Sequence, residues 1–169
     1  LEIRTKCANS SPFTKAYAQS GTVAAYTLSP DSLIAFAEHG TPHLSPRLKA
    51  AQNCLQKGYP VRLCLDPMIH FPDWETIYTT MAEEILKTVD CTRIKDVSVG
   101  TFRISTVYLA RIRRAFPDRA CVQFPFQTTG GYAHYPQELV EKMENLVCSI
   151  LERKIPRYKI FRERYSEHE

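Results

Sequence analysis

No metal centre can be read from this 169-residue sequence. Its six cysteines stand at positions 7, 54, 64, 91, 121 and 148, and no two are closer than ten residues. A Cys-x-x-Cys pair is therefore missing, which excludes the common zinc and iron–sulfur ligand patterns. The same spread is unlike a dense secreted disulfide framework, so reduced, mostly buried thiols in a cytoplasmic protein are expected. The histidines, at 39, 43, 70, 134 and 168, read as scattered loop residues; His39 and His43 are four apart, but Gly40 and Pro42 between them break the helix on which such a pair would share a metal. There is no Ser-His-Asp order and no glycine-rich phosphate loop. No apolar run approaches the roughly 18 residues of a membrane span, and no signal-peptide pattern opens the chain. No membrane partner is expected.

What is present is ordinary in amount: 44% hydrophobic and 24% charged residues, enough for one domain with a sizeable core. A net charge of +4 permits an anionic ligand or nucleic acid without arguing for either. The chain starts at Leu1 and enters an apparent core strand at once. It reads as the later part of something longer.

The organising stretch is Gly58-Tyr59-Pro60-Val61-Arg62-Leu63-Cys64-Leu65-Asp66-Pro67. Gly58 stops a helix, and a short apolar run then reads as a buried strand that Pro67 should end. Asp66 stands at the carboxyl end of that strand, where α/β proteins hold their ligands, although an aspartate there also serves as a turn residue. Further strands are predicted over residues 1–6, 22–28, 94–99 and 158–161. Helices are predicted from about Asn9 to Ser20 and over 32–37. Ser45 is the expected N-cap of a helix that stops at Gly58, and Asp73 that of a helix over 74–89. Ser105 caps a helix running to Phe116, and residues 137–153 form a long amphipathic one. Residues 120–126 read as extended and lead into a hairpin that turns at Thr128-Thr129-Gly130-Gly131. Strand–helix alternation predicts a mainly parallel sheet with outer helices. The chain is too short for a whole eight-stranded barrel, so the later part of a partial β/α barrel is expected, with a small hairpin and a C-terminal helix. The division is residues 1–118 for the half-barrel and 119–169 for the hairpin, long helix and tail.

In such a sheet the strand-end residues converge: Lys6, Thr27 with Ser29, Asp66, and Thr101 with Arg103. A cation, hydroxyls and a carboxylate suit a zwitterionic ligand with a carboxylate, an amine and ribose hydroxyls, Lys6 taking the carboxylate. Glu38 and Arg47 are expected to form an internal, structural ion pair. His70, at the exit of the Asp66 strand, is the one histidine that merits a test. Phe126 and Tyr132 lie in an aromatic hairpin, either to stack on bases or to fill a small core.

Thr5-Lys6, Thr27-Leu28-Ser29, Glu38-x-Gly40-Thr41, Arg47-Leu48-x-Ala50-Ala51, Gly58-Tyr59, Pro67, Trp74 and Tyr78 follow one another as in the spore photoproduct lyase family. The resemblance covers residues 1–80 by motif and the remainder by layout. It implies the carboxyl-terminal half of a radical SAM barrel that binds S-adenosylmethionine and a 4Fe–4S cluster and repairs thymine lesions in DNA. It also implies cofactor contacts at Lys6, Thr27, Ser29 and Asp66. Arg103, from its strand end, and Phe126 and Tyr132, from the aromatic hairpin, are the residues expected toward substrate or nucleic acid. The Cys-x-x-x-Cys-x-x-Cys cluster motif is absent here, as are the family's hydrogen-donor cysteine and its tyrosines. The resemblance places all of these upstream, in the other half of the barrel, and no residue of this chain is expected to be catalytic. At Asp66 the well-known spore enzymes carry a small residue. Their hairpin is rich in Lys and Arg, whereas residues 123–135 have neither, which weakens the case for DNA as partner. The competing readings are a nucleic-acid-binding α/β module and a degenerate, non-catalytic barrel. An isolated half-barrel with an open sheet edge is also expected to self-associate.

Overall fold

A computed structural model describes residues 1–15 and 21–162. Five parallel strands form the main sheet: β1 (Glu2–Thr5), β2 (Val23–Thr27), β3 (Val61–Met68), β4 (Asp96–Thr101) and β8 (Ile160–Arg162), in the order β1-β2-β3-β4-β8. Strands that follow one another without reversal put their crossover helices on a single face, as in a β/α barrel. Alternate strand residues accordingly join one core. Ala24, Tyr26 and Leu28, then Val61, Leu63 and Leu65, then Val97 and Val99 pack under α3 (Leu44–Gln56), α4 (Trp74–Thr88) and α7 (Gln137–Leu151). The residues between them, Arg4, Thr27, Arg62, Asp66, Asp96 and Ser98, share the other face. That face is polar.

A second, antiparallel sheet sits directly beyond β4, formed by β5 (Arg103–Ser105), β7 (Tyr132–His134) and β6 (Gln127–Thr129) in the order β5-β7-β6. Gly130 and Gly131 turn the hairpin with φ of 56° and 80°, as a two-residue primed turn requires. The expected hairpin is thus real but gains a third strand. Helix α5 (Thr106–Ala115) follows β5, its first turn capped by the Ser105 hydroxyl, which accepts from Tyr108 N–H at 3.2 Å.

Other local expectations are corrected. Residues 120–126 are not extended: Ala120–Gln123 make a turn of helix, α6, and Arg113 holds the carbonyls of Val122 and Phe124 at 2.6 and 2.9 Å. Pro67 does not end β3, because it falls where the register with β4 shifts between Leu65 and Met68, and a bulge tolerates a missing donor. Helix α3 starts at Leu44 rather than at a Ser45 cap, since Asp31 of α2 (Asp31–Ala37) accepts from Leu44 N–H at 2.7 Å. Asp73 stands at the start of α4 in a left-handed conformation, without a side-chain cap bond. Of the helix expected from Asn9, α1 (Ser11–Lys15) is described; residues 16–20 lie outside the described residues.

Gly58 behaves as a helix stop for a geometric reason. With φ of 85° it lets its own N–H reach Leu55 O and that of Tyr59 reach Cys54 O, the paired bonds of a Schellman motif.

Candidate functional site

The carboxyl ends of β1, β2 and β3 carry two polar clusters. The first is built on Glu38, just past α2. Arg47 of α3, with no exposed surface, donates from Nη2 to Glu38 Oε2 at 2.8 Å and to Thr41 Oγ1 at 2.7 Å. Its other nitrogens reach Pro42 O at 2.8 Å and Thr27 O at 3.1 Å. Such a buried pair holds because the remaining donors are also satisfied. The second Glu38 oxygen, Oε1, accepts from Lys6 Nζ at 2.7 Å and from Ser29 Oγ at 2.8 Å. Burial alone would raise the Glu38 carboxyl, but the hydrogen bonds from Lys6, Arg47 and Ser29 outweigh it and hold the group below the ordinary glutamate range.

The Lys6 side chain is 42% exposed, whereas Glu38 beneath it is 12% exposed. An ammonium has three donors, and Glu38 engages one. Lys6 is therefore a cation on a fixed mount with donors to spare. Ser29 and Thr27, in contrast, are buried. Ser29 supports Glu38, and Thr27 Oγ1 accepts from Arg4 Nε at 3.1 Å.

The second cluster lies on the polar face. Arg4 binds Asp66 through both the backbone carbonyl, at 2.8 Å, and the carboxylate, and Ser98 donates to the remaining Asp66 oxygen. Asp66 is thus matched by this chain's own residues. One turn of pleat below, Arg62 bridges Asp96 and Glu2. Arg4, Arg62, Asp96 and Ser98 were not foreseen as a group, although period-two alternation along the strands puts them on one face.

The remaining candidates separate from these clusters. Arg103 belongs to β5, where its guanidinium lies 4.0 Å over the Tyr132 ring. Phe126 packs against Phe102, Phe124 and Tyr135 at centroid distances of 5.4, 5.3 and 5.2 Å. His70 is ringed by Trp74, Phe124 and Tyr135, and burial together with Lys142 pushes its imidazole below the usual value, so it is neutral at pH 7. It borders a largely apolar cavity of about 510 Å³ between α2, the β3–α4 loop and α6.

The cysteines make no site. All six are free, and burial pushes the thiols of Cys54, Cys64, Cys91 and Cys148 up, against the thiolate form a cluster needs. Among the described residues no three His, Cys, Asp or Glu side chains are grouped to hold a metal ion. This chain's residues do not fit a 4Fe–4S cluster. The donors that Lys6 has to spare suit an anionic group.

The singly wound sheet, with its helices on one side and its polar clusters at the strand ends, defines the chain as an α/β protein with the layout of a partial β/α barrel. The family model for spore photoproduct lyase matches residues 1–118, and the chain belongs to that family. Solved structures agree in fold. A doubly substituted spore photoproduct lyase with bound AdoMet and dinucleoside spore photoproduct superposes with a TM-score of 0.80 at 18% identity, over 98% of this chain and 51% of the other. Spore photoproduct lyase complexed with dinucleoside spore photoproduct gives 0.78, also at 18% identity with 98% and 51% coverage. The chain spans about half the length of these structures. No match was found among curated proteins.

Proposed function

We propose that this chain supplies the S-adenosylmethionine-binding half of a spore photoproduct lyase-like radical SAM protein that acts on DNA lesions, and that it is inactive alone. The observation that carries this reading is Lys6, a half-exposed ammonium held at the end of β1 by a largely covered carboxylate. Lys6 binds the methionyl carboxylate, and Glu38 keeps its Nζ over the strand ends. Ser29 holds Glu38 in place; Thr27 and Asp66 orient Arg4 along the wall of the site. Beside a reduced 4Fe–4S cluster, whose ligands this reading assigns to a segment outside the chain, the cofactor supplies hydrogen-atom abstraction. The protein's part is to position it. AdoMet and the lesion in the matched structures support the ligand classes.

Calorimetric titration tests the reading, on the chain alone and with a polypeptide carrying the cluster cysteines. Lys6→Ala should weaken S-adenosylmethionine binding by about 10- to 100-fold, the range of a charge-assisted hydrogen bond. Binding of 5′-methylthioadenosine, which lacks the carboxylate, should be unchanged. Equal losses for both ligands, or none, would remove Lys6 from the site.

A further inference from the structure

The chain's positive charge is not spread evenly. Residues 97–137 hold five arginines, at 103, 111, 113, 114 and 119, against one acid, Asp118. That excess equals the +4 of the whole chain, so the rest is neutral in sum. Beyond the carboxyl end of β4 the segment has a small core of its own, Leu109, Val122 and Ala133, beside the main one that takes Val97, Val99 and Tyr135. Two of its arginines are engaged: Arg113 braces it from within through the Val122 and Phe124 carbonyls, and Arg119 ties it to the end of α2 through Phe36 O at 2.7 Å, beside His39.

Arg111 and Arg114 do neither. Both are exposed, and neither makes a hydrogen bond or ion pair among the described residues. Three apart on α5, they share a helix face with Val107, itself 64% exposed. Tyr108, 57% exposed, flanks that face. The first turn of α5 abuts the hairpin tip, because Thr106 N–H donates to Gly131 O at 2.9 Å.

We propose that this face of α5 grips a single strand of nucleic acid, with Arg111 and Arg114 on phosphates and the ring of Tyr108 on a base. Paired guanidiniums that make no ion pair among the described residues suit a polyanion, and a flat exposed ring beside them suits an unstacked base. The arginines that the hairpin lacks are thus carried by the helix next to it. The proposal rests on the nucleic-acid part of the function given above and is independent of its cofactor part.

The test is fluorescence anisotropy with a labelled oligothymidylate of about 12 nucleotides between roughly 50 and 200 mM salt, the range in which counterion release is read. Replacing Arg111 and Arg114 together by Ala should flatten the slope of log K against log salt by about 1.4, two single-strand phosphate contacts. Tyr108→Ala should weaken binding about tenfold at fixed salt and leave the slope alone. Arg157→Ala, at an exposed arginine in the turn just before β8, should change neither. No binding by the parent chain, an unchanged slope in the double variant, tighter binding of a matched duplex, or binding of phosphatidylserine vesicles in place of the oligonucleotide each overturns the proposal. Titration with S-adenosylmethionine separates the two ideas. Lost oligonucleotide binding with cofactor binding intact removes this surface alone, and the reverse removes the cofactor site alone.

Discussion

At the scale of single residues, Arg47 and Glu38 carry the heaviest consequence. Arg47 is fully buried and its guanidinium ties the α2–α3 loop to the end of β2 through Pro42, Thr41, Glu38 and Thr27. Removing one partner of a buried pair leaves the other uncompensated, so Arg47→Met should cost about 3 kcal/mol in urea unfolding. The pair also sets a pH dependence. Glu38 is held below its unfolded value, so its contribution is complete above about pH 4.3, the ordinary glutamate value, and is lost as pH falls through the folded value. Glu38→Gln should flatten the stability profile on that acid side. A profile with the same acid limb in both proteins would mean that another carboxylate governs it. The motif spacing of Glu38, Gly40, Thr41 and Arg47 made this pair visible in the sequence, because its members lie within ten residues. The link to Lys6 was not visible, since 32 positions separate Lys6 from Glu38.

Secondary-structure elements were legible where local chemistry decides them. Helix ends show this best. Ser105 caps α5 through one short-range bond, and Ser105→Ala should destabilise the fold by about 1 kcal/mol, measured as a shift of the denaturation midpoint without a change in its slope. Elements failed where a distant group decides. Residues 120–126 have the apolar, β-compatible composition of a strand, yet a guanidinium from α5 fixes their carbonyls in a helical turn. Pro67 looks like a strand end until its neighbour β4 shifts register beside it. The start of α3 moved to Leu44 because its cap comes from Asp31, a residue of the preceding helix.

For the whole molecule, the open question is the free edge of the sheet. Strand β1 pairs with β2 on one side only among the described residues, and Leu1 and Ile3 are 83% and 40% exposed. An unpaired edge carrying apolar side chains invites another strand. Sedimentation of the chain should therefore show concentration-dependent self-association, and Ile3→Lys should suppress it; a monomer at all concentrations would count against an adhesive edge. The polar face points the same way. Parallel sheets are ordinarily covered on both sides, and here one side is lined by Arg4, Arg62, Asp66 and Asp96 in mutual ion pairs. No helix among the described residues is long and apolar enough to cross a membrane.

By itself the sequence determined the alternation of strands and helices, the glycine stops, the hairpin turn and the family, because each depends on residues close together in the chain or on motifs in fixed order. Only the tertiary structure decided what the charged strand residues do. Arg4 and Asp66 are 62 positions apart, and they meet because parallel pairing brings β1, β2 and β3 into register. The same holds for the arginines of α5. As a count they were a mild excess of charge; as a face they stand together because Leu109 and Ile112 turn inward to the small core and leave Arg111 and Arg114 in solvent.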